Sequence, residues 1–297
     1  MPNIFRRVFT SSVLGLLIIG TTTDAQEAVT RNVVVEVEEL PSAYGAPPDL
    51  SRGRISTLTK SYVLPPFSFE LETIYEGDVF RHGPPRNLFG QEVEMGLPRR
   101  FTVAIENQLE RFAGDGGERS FGIEARYALA DWNKIPLNPA LSAEYKFGLG
   151  RTSREGSIPD AIDFGLLLSH DFRHMVEWAM NFFVDQEVNG DQSIDWGFAQ
   201  SVEVPVLLPE EQLEVGLEMQ YRHGREAIAH VDQARGFVIG PTLAWRPTKS
   251  ARARFDFSPL FGCTGDSPRV EIFAVFSLSF GKLEAGEAET PASARNR

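Results

Sequence analysis

The chain has 297 residues, 41 acidic against 29 basic, and a formal net charge of -12. That balance excludes the clustered basic face that nucleic-acid binding requires. The single cysteine, Cys263, has no partner in the chain, so no intrachain disulfide supports the fold.

Arg6 and Arg7 precede an apolar stretch, Val13 to Ile19, and small and polar residues follow up to Thr23-Asp24-Ala25. This three-part pattern predicts a cleaved secretory signal peptide over residues 1–25. Its apolar core is too short to span a bilayer as a helix, and no later segment approaches the roughly 20 apolar residues required. Removing it takes away Arg6, Arg7 and Asp24, which brings the remaining chain to about -13. Residues 26–64 are expected to form a periplasmic N-terminal arm. Val33 to Val37 could make a brief strand, but Pro41, Gly45, Pro47 and Pro48 break anything longer.

Beyond Pro65-Pro66, apolar and polar residues alternate with a period of two. Val270, Ile272, Ala274, Phe276, Leu278 and Phe280 share one face of their segment. Leu213, Val215, Leu217, Met219 and Tyr221 likewise oppose Glu214, Gly216, Glu218, Gln220 and Arg222. The expected strands are 67–76, 88–97, 101–112, 120–130, 140–149, 161–172, 176–184, 194–204, 211–222, 236–246, 251–259 and 269–280. An even number is what single-chain bacterial membrane barrels have, and about ten tilted residues match their apolar band. Connections around Pro98-Arg99-Arg100, Arg173-His174-Met175, Pro205 to Glu210 and Pro247 to Ser250 read as short turns. Long loops are expected between them, at 77–87, 113–119, 150–160, 185–193, 223–235 and 260–268. One connection breaks the scheme, because Asp131 to Pro139 should be short and is not.

The polar face carries Glu70, Glu72, Glu92, Glu94, Glu106, Glu124, Arg126, Glu144, Lys146, Glu177, Glu214, Glu218, Arg222, Arg252, Arg254, Asp256 and Glu271. A Lys or Arg facing lipid at mid-bilayer costs about 2–4 kcal/mol, so this face is assigned to a hydrated lumen. The same face is rich in glycine, at 96, 122, 148, 165, 197, 216 and 240, which suits side chains crowding inside a closed wall. Arginine outnumbers lysine 24 to 5, and guanidinium groups pair bidentately with carboxylates. An internal ion-pair network is therefore expected. Trp and Tyr on the apolar face, including Tyr127, Tyr145, Trp178, Trp196, Tyr221 and Trp245, would suit interfacial girdles. The fold class is all-β, a transmembrane antiparallel up-and-down β-barrel of about 12 strands over residues 65–281. An Ala/Glu-rich tail over 282–297 reads as disordered.

Four passages carry a family resemblance: FELETIYEGDVF (69–80), LFGQEVEMGLPRRFTVAIENQLERF (88–112), FGIEARYALADW (121–132) and PALSAEYKFGLG (139–150). With them the chain resembles the outer-membrane barrels of the MetA-pathway-of-phenol-degradation family. That resemblance implies a transporter-like or channel-like role and supplies no catalytic residues. It departs from the pattern of such barrels where the tail follows Phe280.

Signs of other chemistry are weak. Ser169-His170 is the one adjacent serine–histidine pair, and neighbours on a strand point to opposite faces. His82, His170, His174, His223 and His230 lack zinc-site spacing. The acidic run Asp185, Glu187, Asn189, Asp191 and Asp195 lacks the glutamate that closes a calcium loop, and Gly114-Asp115-Gly116-Gly117 reads as a hairpin tip. No catalytic residue, metal or cofactor is expected. The function expected is a channel or transporter for small solutes in the outer membrane of a Gram-negative cell, its lumen lined by Glu and Arg. A structural or surface-interaction barrel with a sealed lumen is the alternative, and a membrane lipid hydrolase comes third. The expected partners are outer-membrane lipid, small solutes and, during biogenesis, the barrel-assembly machinery.

Overall fold

Strands whose two faces differ in polarity must enclose one face, and closing the sheet also removes its edges. The computed structural model describes residues 42–47, 49–112, 117–152, 156–173, 175–190, 192–206, 212–226, 231–247 and 252–281. Within them lie β1 (Phe69–Val79), β2 (Arg86–Leu97), β3 (Phe101–Phe112), β4 (Glu118–Ala128), β5 (Ala140–Leu149) and β6 (Ala161–Asp171). These are followed by β7 (Glu177–Glu187), β8 (Ile194–Pro205), β9 (Leu213–Glu226), β10 (Val231–Trp245), β11 (Ala253–Gly262) and β12 (Val270–Phe280). Each pairs antiparallel with the next, and β12 returns to β1 to close a twelve-stranded barrel, with Phe280 opposite Phe69. All twelve expected strands are present.

The loop lengths are not as expected. Strands β9 and β10 run to 14 and 15 residues and leave four residues between them, where a long loop over 223–235 was expected. Strand β1 likewise continues to Val79. The wall at that rim is raised by strand rather than by loop. At the other rim Arg99 and Arg100 adopt positive φ, 64° and 67°, which gives the tight reversal between β2 and β3.

Residues 42–47 and 49–66, which include the described part of the expected arm, run inside the barrel. A 3-10 turn over Asp49–Ser51 leads into a narrow hairpin, held by Ile55 N donating to Thr59 O (3.0 Å) and Ser61 N to Gly53 O (3.1 Å). Its polar groups find partners on the wall: Leu64 N donates to Thr102 Oγ1 (2.8 Å), and the Thr59 and Ser201 hydroxyls meet at 2.6 Å. This segment has no strand periodicity because its hydrogen bonds go to side chains of the wall and to itself. The expected signal peptide, residues 26–41 of the arm and the tail over 282–297 lie outside the described residues.

The long connection over 129–139 is explained by this plug. Trp132 is buried and meets the Tyr62 ring edge-on at 5.3 Å, its backbone N–H donates to Tyr44 O (3.1 Å), and the Tyr62 hydroxyl donates to Ala130 O. Ala43, Leu50, Ile55 and Val63 pack with Trp132, Ala128, Ala140, Leu167 and Ala179 in one apolar cluster. An ordinary short turn could not supply that seat.

Gly96 is where the plug enters. A Cβ there would run into the carbonyl of Pro65, the last stretch before β1. Gly96→Val should therefore push the entering chain off the wall while leaving the strands paired. In the folded barrel, trypsin should then cut after Arg52, Arg54 or Lys60 at least about tenfold faster, as for a segment whose local opening has become easy.

Candidate functional site

The two faces of the strands differ in burial. On β1, Leu71 is 40% exposed, while its neighbours Glu70 and Glu72 are 2% and 0% exposed. Glu70, Glu72, Glu92, Glu94, Glu124, Arg126, Glu214, Glu218, Arg254, Asp256 and Glu271 are all buried inside the barrel. Glu106, Glu144, Lys146 and Glu177 are half-buried. Arg222 and Arg252 are exposed; Arg222 lines the wide mouth with its guanidinium 5.9 Å from the Phe183 ring centre. Phe69, Val93, Ile105, Ile123, Phe164 and Leu217 project from the outer surface. Tyr127, Trp178 and Trp245 lie near one rim, and the Trp196 ring meets Tyr221 at a tilt (5.7 Å) toward the other.

Two groups of buried charges meet the plug. Along β1, β2 and β4, Glu72, Glu92, Glu94 and Glu124 crowd together with Arg126 as their wall cation. Arg126 reaches Glu94 (3.1 Å) and Glu124 (3.2 Å). The remaining positive charge comes from the plug. Arg54 meets Glu72 at 2.9 Å and Glu92 at 3.5 Å, and Lys60 meets Glu92 and Glu124 at 2.6 Å each and Glu94 at 3.2 Å. Burial alone would lower the pKa of Lys60, but Glu124, Glu92 and Glu94 outweigh it and hold the ammonium charged well above its ordinary range. Although the oxygens of Glu72, Glu92 and Glu94 lie close enough to share a metal ion, three cationic side chains already occupy that space.

The second group spans β8 to β11. Arg254 pairs with Asp256 (2.8 Å), Glu203 (3.4 Å) and Glu214 (3.6 Å), and donates to the carbonyls of Arg54 and Ile55 in the plug. Arg246 binds plug residue Asp49 and reaches Glu214 at 3.5 Å. Glu218 accepts from Thr57 Oγ1 (2.5 Å) and Leu58 N (2.8 Å) at the hairpin tip.

Sequence reasoning missed Arg54, Lys60 and Asp49, because they sit in a segment without periodicity, and it passed over Glu203 and Arg246. A signal for the plug was available: an Arg-Gly-Arg step and the run Ser56-Thr57-Leu58-Thr59-Lys60 precede a wall short of cations.

Between the plug and the raised rim lies a cavity of about 550 Å³. Acidic side chains dominate its lining: Glu76, Glu92, Glu106, Glu110, Glu124, Glu144, Asp163, Asp185, Glu187 and Asp195 face Arg54, Lys60, Arg86, Lys146 and Arg222. The lumen is thus an acidic vestibule floored by the plug.

The other chemistry considered does not assemble. Ser169 is fully buried on the inward face, whereas His170 points outward and meets the Phe172 ring at 4.6 Å, so the two form no dyad. In the acidic loop, Asn189 accepts from Asp160 N and Glu187 from Ser193 N, as in an ordinary polar turn; Asp191 lies outside the described residues. Cys263 is exposed, His82 is exposed and His223 meets the Trp196 ring at a tilt (5.3 Å), while His174 and His230 are outside the described residues.

Among solved structures, this fold matches the COG4313 outer membrane channel from Pseudomonas putida F1. The TM-score is 0.54 at 11% sequence identity, over 74% of this chain and 97% of that one. The chain has the fold of an outer-membrane barrel. More distant similarities reach the NanC porin (TM-score 0.47, 10% identity, 72% of this chain and 100% of that one) and the KdgM porin (0.44, 7%, 72% and 99%). No family model and no curated protein matches the chain. The likeness is therefore one of barrel architecture, and the resemblance to the phenol-degradation family gains no support from it.

Removing one partner of a buried ion pair strands the other, at a cost of about 3–5 kcal/mol. Arg126→Met should lower the unfolding free energy of the barrel, read from a urea titration, by an amount in that range. Adding Glu94→Gln should restore part of the loss, since it removes the stranded carboxylate.

Proposed function

We propose that the protein is a channel for small solutes in the outer membrane of a Gram-negative cell, gated by its own N-terminal segment. The observation that carries this reading is the ionised lumen: its wall leaves carboxylates that the plug's Arg54 and Lys60 complete, and an acidic vestibule lies beyond. The apolar outer surface suits hydrocarbon, and strands of ten or more residues are long enough to cross its apolar band. Residues 1–25 then serve as the export signal, and the barrel-assembly machinery inserts the exported chain into outer-membrane lipid. Carboxylates in excess around the path favour cations over anions.

The plug also favours a second reading, a structural barrel whose lumen stays sealed. Planar-bilayer recording separates the two. The full chain should show rare or small openings. A variant lacking residues 42–64, shown to be folded by its heat-dependent gel mobility, should give steady cation-selective steps. A folded deletion variant without conductance would favour the sealed barrel, and anion selectivity would overturn the role given to the carboxylates.

A further inference from the structure

The β10–β11 ladder breaks in mid-wall. Pairing runs through Val238 with Gly262 and Ile239 with Phe261, then resumes only at Leu243 with Phe257. The unbroken register sets Pro241 directly opposite Pro259. The Cys263 N–H donates across this same seam to Phe237 O (2.8 Å), so alternate pairs from there, including 241 with 259, are the ones that would exchange two bonds. Proline has no N–H, and both crossing bonds are lost at that one level. Gly240 adds to the thinness of the wall, since a Cβ there would run into Pro259 O.

Both sides of this seam are built differently from the rest of the barrel. On the outer face a groove of about 590 Å³ lies over the two prolines, walled by Val202, Val215, Leu217, Leu243 and Phe257 with no charged side chain. On the inner face, Val238, Leu260 and Phe273 form a buried apolar patch, and Leu58 of the plug packs on it. Leu58 and Phe273 also border the vestibule. The seam is stitched by hydroxyls: Ser258 donates to Thr242 Oγ1 (2.9 Å), and Ser56 of the plug joins Thr242 at 2.8 Å.

We propose that this seam is a lateral portal, through which a small uncharged apolar solute passes from the vestibule into the surrounding hydrocarbon. The vestibule, the inner apolar patch, the unbonded proline pair and the outer groove succeed one another along a single line through the wall. The hairpin tip Ser56–Leu58 is the latch, because it covers the patch and ties itself to Thr242 and Glu218. At rest the outer groove holds a lipid acyl chain. A charged solute has no partner along this line and stays in the axial path.

The test places a thiol under the latch, as Leu58→Cys in a Cys263→Ser background, with the full chain reconstituted in liposomes. Pyrenyl maleimide dissolved in the lipid phase should label it. Pro241→Val with Pro259→Val restores the two donors and should slow that labelling about tenfold or more, while a charged water-borne maleimide entering through the vestibule labels as before. Pro259→Val alone restores one donor and should give an intermediate rate, which keeps the test available if the double variant does not fold. Absence of labelling from the lipid phase, or an equal rate with the ladder restored, would overturn the portal.

Discussion

The structure depends on what ionised side chains require once a wall with an apolar exterior closes around them. Each carboxylate on the inward face of β1, β2 and β4 is cut off from bulk water by its own strand, so it must meet a cation, a hydrogen-bond donor or enclosed water. Arg126 serves Glu94 and Glu124, and Glu72 and Glu92 are left for the plug. Arg54 and Lys60 answer that need. The plug is therefore part of the wall's charge pairing and not an accessory laid into a finished barrel. Its backbone follows from the same constraint, since a narrow hairpin is the shortest way to bring Arg54 and Lys60 to one side and Thr57 to the other.

How far the sequence reveals this differs from element to element. The strands are legible because a period of two is imposed by the pleat, and a barrel wall shows it on every strand. The inward assignment of Glu70, Glu72 and Glu94 follows from the same pattern, as a slip of one residue would turn each of them to the outside. The plug is not legible in that way. Its residues pair with wall partners 17 to 200 positions away, as in Gly53 with Glu70 and Arg254 with the Arg54 carbonyl, and no local period encodes such contacts. What the sequence does carry is an imbalance: a surplus of Glu on the first strands, an Arg-Gly-Arg step upstream, and one connection, Asp131 to Pro139, longer than a turn needs. Loop lengths were misjudged for a simpler reason. Polar residues such as Asp78 and His223 look like loop, yet they continue β1 and β9 into the raised rim.

Glycine and proline mark the places where the wall departs from uniform pleating. Gly96 admits a second chain against the sheet, where any side chain would occupy the carbonyl of Pro65. Pro241 and Pro259 stay in register with Leu217 of β9 and Ile272 of β12 without costing those seams a bond, because the missing donors both point into the same seam. Two prolines placed with opposite parity would have weakened two seams slightly; placed opposite each other they concentrate the loss at one level of one seam.

Polar pairing also decides what kind of plug this is. A segment packed on an apolar lumen would leave bare hydrocarbon surface on departure, and the cavity would tend to dewet or collapse. Here departure leaves carboxylates and guanidinium groups that water can solvate, so an unplugged barrel keeps a hydrated bore. Replacing buried ion pairs by matched apolar groups often makes a protein more stable. Ion pairs instead keep the energy of the occupied and vacated lumen close together, since each charge exchanges a protein partner for water. The apolar patch under Leu58 does not follow this rule, and it sits at the seam where Pro241 and Pro259 lack their backbone bonds. Movement of the hairpin tip thus changes two things at once, wetting the charged bore and uncovering the unwetted patch, and that coupling is set by the four residues Ser56 to Thr59.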